Sequence, residues 1–461
     1  MLTYLLRRIL LIIPTLIGIT LVVFSVMAAS PGGIGSQALT EGVMQPEARK
    51  AMETYFNQRY GLNDPAPVQY LRWLNNISPI GFVTNDSGTF RLENFRLLKG
   101  SDLGDSFLYG RSVAELIRER LPITLLLNIV AIPIVYIVAI AIGVRAATQH
   151  GKSFDVTSGT VLLALWSVPV MLAGVLLIGF FGSEQHWHWF PESGLNRREA
   201  LDMTFLPHWS GLSQVLMLAI ALITAVTVAL IANARLPQWW RSVVFGGIGL
   251  LAGIAMAESN GQLSNLSIHF LLSMSIAMLF WWIFSSEFFG IRVLCAGAIG
   301  IAFAFMLFDI VSDGSFVRGF LFDRLWHLIL PVLCLTFGGF AFLAKLSRSA
   351  VLESLAADYA RTARAKGATE EVVLWRHVFR NSLIPLITVA ASLLPGLLAG
   401  SVIVESLFSI EGMGKLAVEA VKGRDREMVL SLTLISGVLT LIGYLLADFC
   451  YALADPRVSY D

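Results

Sequence analysis

The chain has 461 residues, 56% of them hydrophobic and only 14% charged, with a formal net charge of +1. Soluble domains carry about a quarter charged residues, so this composition excludes an ordinary soluble enzyme. The near-balanced charge also gives no bulk basic surface for nucleic acid. Several apolar runs reach the ~20 residues that cross a bilayer.

Arg7 and Arg8 precede an apolar run from Ile9 to Ala29, and Pro31 follows closely. The run is too long for a signal-peptide core, so residues 1–30 read as an uncleaved first span that starts in the cytoplasm. Residues 31–120 are polar and rich in Pro and Gly. They form an extracytoplasmic segment, either a small folded domain or an irregular loop packed on the outer mouth. Ala48–Tyr60 has helical spacing, Gly61–Pro65 turns the chain, and Ser112–Arg120 reads as an amphipathic helix.

Region 121–211 holds a second span (Leu121–Val144), a short inner loop with His150, Lys152 and Asp155, and a third span (Val156–Phe181). The outer loop after it contains His186, Trp187, His188 and Trp189. Alternating tryptophans there indicate an interfacial aromatic belt, and without nearby ligands no metal site is expected. Region 212–311 reads as an inserted block of four extra spans, about Leu212–Ala234, Ser242–Ala257, Leu266–Ser285 and Ile291–Ile310. The second of these is only ~16 residues long, so it is a span or a re-entrant segment. His269 and Asp309 in this block are expected to pair with one another, a neighbour or water. Region 312–461 carries three more spans, His327–Leu346, Leu383–Phe408 and Val429–Leu453, with a charged loop at 349–382. Cys295, Cys334 and Cys450 all lie in apolar runs, without disulfide or metal-ligand spacing.

From Lys345 to Arg380 there are seven basic residues against four acidic ones, and a short basic loop is placed in the cytoplasm. Leu352, Leu355, Ala356, Tyr359 and Ala363 fall at helical spacing. Gly367 fits the position just past a helix end, and Thr369 can cap a second helix begun by Glu370 and Glu371. Val372, Trp375 and Phe379 give that helix an apolar stripe, and Pro385 sits at or near the start of the next span.

The run Arg361-Thr-Ala-Arg-Ala-Lys-Gly367, with His377-Val-Phe-Arg-Asn381 and Pro385 after it, resembles the cytoplasmic coupling loop of ABC-importer permeases. More narrowly, it is similar to the first permease subunit of the dipeptide/oligopeptide family, of the peptide/microcin-type branch. Arg361, Thr362 and Ala363 replace the general family's Glu-Ala-Ala. His377, Val378, Phe379 and Arg380 replace its Ile-x-Leu-Pro, a departure typical of the peptide branch. Arg59-Tyr-Gly-Leu62, Gly100–Ser106, Ser409-Ile-Glu-Gly-Met-Gly-Lys415 and Ala454-Asp-Pro-Arg457 resemble the same family.

The resemblance implies an all-α polytopic membrane protein, a six-helix ABC importer permease core with the inserted block and the extracytoplasmic segment added. It implies a multi-pass protein of the bacterial inner membrane with both termini cytoplasmic, transporting peptides or peptide-like solutes. Its partners would be ABC ATPase subunits, a second homologous permease subunit and an extracytoplasmic solute-binding protein, besides the lipid bilayer. The coupling residues would be Tyr359, Arg361, Thr362, Ala363, Arg364, Ala365, Lys366, Gly367, Ala368, Trp375, His377, Arg380 and Asn381.

No phosphate-binding loop, nucleophile elbow or metalloprotease helix occurs, so no ATP site, cofactor or catalytic residue is expected in this chain. Polar and helix-bending residues within spans are path-lining candidates: Asn128, Pro385, Ser392, Pro395, Gly396, Ser401 and Glu405. Ordinary interhelical hydrogen bonding is the competing reading for each. The alternative for the whole chain is a self-sufficient secondary transporter or channel, which would need intramembrane carboxylates and an inverted repeat.

Overall fold

The computed structural model describes residues 2–29, 54, 64–83, 95–186, 188–203, 205, 212–258, 266–285, 289–311 and 319–454. Arg59–Leu62, Trp187, His208 and Asp455–Arg457, and most of Ala48–Tyr60, lie outside them, as do the side chains of His269 and Asp309. The protein is an all-α polytopic membrane protein. Among the described residues five helices are long and apolar enough to cross a membrane, or six if one interrupted pair counts as a span.

The chain divides into two units, Met1–Val170 with Leu335–Asp461, and Met171–Cys334. In the first, α1 (Leu2–Ala29) is followed by α2 (Ala66–Ile77) and a two-residue ladder pairing Gly81–Phe82 with Phe95–Arg96. α2 packs Tyr70 and Trp73 against Phe24 and Leu430. The described part of residues 31–120 is thus folded onto the helices rather than standing apart.

α3 runs from Val113 to Thr148, longer than the expected span. The amphipathic helix and the span are one element, because Val113, Leu116 and Ile117 bury themselves against Met413, Leu416 and Met428 and give the extra turns a reason to persist. The third expected span is interrupted. α4 (Ser153–Ser167) ends at Val168, which is extended, and α5 begins at Val170. Pro169 between them drives its predecessor out of the helical region.

α10 (Gly319–Ala356) runs ten residues past the expected end at Leu346. Within the first unit α3, α10 and α13 (Phe379–Leu407) share a core of Val135, Ala139, Leu343, Ala344 and Leu386. Gly143 permits this approach, since a Cβ there would stand 2.8 Å from the Ala344 carbonyl oxygen. α14 (Met413–Lys422) and α15 (Arg426–Ala454) complete the unit.

In the second unit the four apolar runs are four helices, α6 (Leu212–Arg235), α7 (Gln238–Glu258), α8 (Leu266–Ser285) and α9 (Phe289–Val311). They form nested hairpins: α7 lies along α8, and α6 lies along α9. α7 is longer than expected because the Gln238–Arg241 turn is helical and anchored, with Arg241 Nε donating to the Phe284 carbonyl at 2.8 Å. Gly253 lets Ser273 approach, and Gly300 lets the α6 backbone approach at Val226.

Candidate functional site

Two places in the first unit gather the residues singled out in the sequence. The first is the connection from α10 to α13. Ala357 adopts ψ 153° and ends α10, and α11 follows from Asp358 to Ala365. Gly367 then takes φ +83°. The Gly367 and Ala368 N–H groups donate to the Arg364 and Ala363 carbonyls at 2.9 and 3.2 Å. This pair of bonds closes a helix through one left-handed residue, a backbone that glycine adopts without steric cost. A Cβ at 367 would meet nothing within 4 Å, so conformation and not space demands the glycine.

Thr369 stands at the next helix start, but its side chain makes no capping bond, contrary to expectation. Arg364 does the joining instead, donating to Glu370 Oε1 at 2.9 Å and to the Leu355 carbonyl at 3.4 Å. From Glu370 the chain is helical through α12 (Glu370–Val372) and a π turn (Val373–Val378) straight into α13. Pro385 therefore lies inside α13 rather than at its start.

The apolar residues of this knob divide into two sets. Ala360, Ala363, Val373 and Val378 are buried and hold α11 against the π turn. Tyr359, Val372 and Trp375 are 39%, 42% and 44% exposed. Tyr359 is exposed while Ala363, one turn on in the same helix, is buried, and the break at Ala357 separates both from Leu352, Leu355 and Ala356 on α10. Trp375 sets its ring edge-on to Phe379 at 5.2 Å. Around this open face Arg361, Ala365, Lys366, Arg376 and Arg380 are exposed. The Thr362 hydroxyl and Asn381 amide bond back to the Asp358 and His377 carbonyls, so both serve their own helices.

Just before the knob, Arg348 of α10 makes a two-armed contact with Asp155 of α4, at 2.5 and 2.7 Å. The Gly151 N–H and the His150 ring also reach that carboxylate. Asp155 is 6% exposed, so its charge rests almost wholly on Arg348. His150, Asp155 and Arg348 are visible in the sequence only as loop charges; a partner 193 residues away gives no local signal.

The second place lies at the other end of α13. Ser401 and Glu405, taken separately as path candidates, are completely buried and face each other. Glu405 Oε1 accepts from Ser401 Oγ at 2.7 Å and from Thr124 Oγ1 of α3 at 2.8 Å. Its Oε2 accepts the Lys415 N–H at 2.9 Å, in the first turn of α14. Glu405 therefore caps a helix that is not its own. The Gly412-Met-Gly-Lys415 spacing now has a cause. A Cβ at 412 would stand 2.5 Å from the Glu405 carboxyl carbon, and one at 414 would stand 2.7 Å from Val402 Cα.

Asn128 is buried one turn from Thr124, donates to the Thr124 carbonyl at 2.8 Å, and has no partner for its Oδ1 among the described residues. The side chains of Ser392, Pro395 and Gly396 lie outside the described residues. Thr124 carries no distinguishing pattern in the sequence, since its partner Glu405 is 281 residues away. Among the described residues no group of three His, Cys, Asp or Glu is placed to hold a metal ion. His188 bonds the Gly182 carbonyl, and His186 packs on Phe180.

Residues 249–460 match the family model described as "Binding-protein-dependent transport system inner membrane component". Residues 1–128 match the model for the N-terminal part of the membrane component of such systems. The chain belongs to this permease family. It is similar to the oligopeptide transport system permease protein AppB of Bacillus subtilis, at 29% identity over 100% of both chains. It is also similar to the dipeptide transport system permease protein DppB of Escherichia coli K12, at 26% identity over 100% of this chain and 99% of the relative. The inner membrane ABC transporter permease protein YejB of Escherichia coli O157:H7 is 25% identical over 99% of each. The chain is thus the permease subunit of a binding-protein-dependent importer and a multi-pass inner-membrane protein. Permeases of this family are transport subunits, not enzymes, and work with ATPase and binding-protein partners in general.

Around the Glu405 cap the permease ties its 95–112 segment to the start of α15. Asp425 is fully buried and accepts from Ser106 Oγ (2.5 Å), the Leu108 N–H (3.1 Å) and, as a helix cap, the Met428 N–H (3.1 Å). Burial pushes the Asp425 carboxyl above the usual range, against the pull of these donors. Arg426, also buried, donates to Glu427 and to Gln69 of α2. Arg120 pairs with Glu411, and Tyr109 donates to Glu419. Burial and the neighbouring Glu419 both push the Tyr109 hydroxyl up.

Proposed function

We propose that this chain is one of two homologous permease subunits forming the path of a bacterial importer for peptides or peptide-like solutes, and that the α11–Gly367–α12 knob couples it to ATPase subunits. The observation that carries this reading is the knob's construction. It is closed by backbone bonds and an internal apolar face, yet it leaves Tyr359, Val372 and Trp375 uncovered. Such a face suits a helix-in-groove contact with a partner. The π turn runs without interruption into α13, so a push on the knob reaches the membrane helix rather than dissipating in a loop.

The basic excess of the loop supports a cytoplasmic knob, with both termini on that side. The peptide names of relatives matched along their whole lengths support the solute class. An extracytoplasmic binding protein would deliver solute, and ATP hydrolysis in the partners would supply the energy. On this reading α13 rocks between its knob end and its Glu405 end. Asn128, Pro385, Ser392, Pro395, Gly396, Ser401 and Glu405 then border the path only when Glu405 releases α14.

The test is a disulfide trap and an uptake assay. A cysteine at Trp375 should cross-link to the co-expressed ATPase subunit. Gly367→Val should insert normally but abolish ATP-driven uptake in proteoliposomes. Uptake at the unmodified rate in Gly367→Val would remove the coupling role.

A further inference from the structure

The inserted helices carry a feature that transport coupling does not use. At one end of the block the C-terminus of α6, the N-terminus of α7, the C-terminus of α8 and the N-terminus of α9 come together. Gln238 Nε2 donates to the Ser285 carbonyl at 2.7 Å, and Ala229, Phe245, Phe284 and Ala296 form one buried cluster just inside. Because α6 and α9 are antiparallel, with Gly300 at Val226 and Ala296 at Ala229, Arg235 and Arg292 fall at this same end.

The end is therefore basic and aromatic. Arg235 is exposed, while Arg241 is 8% exposed with its Nε already committed to Phe284. Trp239 and Trp240 lie against each other, tilted, at 4.3 Å between ring centres and are 60% and 47% exposed. None of the described residues at this end is acidic, and Glu287 lies outside them. One further residue stands out. Asn233, a turn or less from Arg235, is 1% exposed, and among the described residues neither its Oδ1 nor its Nδ2 has a hydrogen-bond partner. A buried amide with both ends unmet is rare and implies a polar group that belongs beside it.

We propose that this end of the block binds the phosphate headgroup of an anionic phospholipid. Arginines supply charge, Asn233 an amide donor, and the tryptophan pair the ring surface that sits at headgroup depth. A lipid fits better than free phosphate. The exposed flanks of the helices, such as Leu251, Leu279 and Trp282, continue as apolar surface on which acyl chains can lie. The proposal rests on the reading that the four helices lie in the bilayer.

Native mass spectrometry of the purified full-length chain tests it, with phosphatidylglycerol against phosphatidylcholine in the micelles. Phosphatidylglycerol should remain bound under conditions that strip phosphatidylcholine. Arg235→Gln combined with Arg292→Gln should weaken its retention about tenfold or more, the scale of two lost charge contacts. Asn233→Leu should reduce the gain in Tm that phosphatidylglycerol confers, without lowering the Tm measured in its absence. A merely structural asparagine would not give that pattern. Equal retention of the two lipids, or unchanged retention in the double arginine variant, would overturn the proposal. So would complete displacement of the lipid by millimolar inorganic phosphate, which would make the site one for a free anion. These measurements need no partner subunits, so their failure leaves the importer reading intact, and lost uptake with lipid retained affects only that reading.

Discussion

Gly414→Ala adds one methyl group where α14 and α13 leave no room for it. The new Cβ would stand 2.7 Å from Val402 Cα and 2.8 Å from Val402 N. Carbon atoms pack at about 3.5–4.0 Å, so α14 must retreat by nearly 1 Å, since Val402 backbone cannot swing aside as a side-chain tip can. That retreat would stretch the 2.9 Å bond from the Lys415 N–H to Glu405 beyond useful reach. Overpacking costs about 1–3 kcal/mol. A lost hydrogen bond to a buried carboxyl adds about 1–3 kcal/mol. Better helix propensity returns up to ~1 kcal/mol. The net expectation is a loss of roughly 1–6 kcal/mol, read as an earlier midpoint in denaturant unfolding of the purified protein. Gly159→Ala on α4 is the control, because nothing lies within 4 Å of its would-be Cβ. If the two variants unfold together, the explanation of the Gly-Met-Gly spacing is wrong.

Asp425 provides a pH test. Its folded-state pKa is raised, so the folded protein holds a proton that the unfolded chain has given up, and stability from this group is present at low pH. The stability difference between the unmodified protein and Asp425→Asn should therefore shrink as pH rises above about 4, the ordinary carboxyl value, and then level off. A flat difference across pH 4 to 8 would reject this. Arg348→Ala leaves the Asp155 charge buried and should cost about 3–5 kcal/mol, whereas Arg348→Met with Asp155→Leu should cost much less. Equal losses in the single and double variants, measured by the same unfolding assay, would deny the pairing. Trp375→Ala should change stability by less than about 0.5 kcal/mol, as an exposed position does, while abolishing ATP-driven uptake. A stability loss comparable to the transport loss would make Trp375 a core residue instead.

Local sequence determined the helices, because a polar backbone in lipid can satisfy itself only within its own helix and the apolar runs leave no other choice. It determined the Gly367 stop as well, since the backbone requirement there depends on neighbours within five residues. Helix ends were less legible. α3 and α10 outrun their apolar stretches because tertiary contacts, such as Leu116 and Ile117 on Met413 and Leu416, reward turns that the bilayer does not. The division of the knob into a closed face and an open one depended on how α11 packs against the π turn, which composition does not mark. The pairings before the knob and at the far end of α13 were decided only by the tertiary structure. Glu405 with Lys415 and Thr124, and Asp155 with Arg348, join residues up to 281 positions apart. Burial energy depends on which atoms the fold brings within 3 Å, and a single chain read in order carries no record of that distance.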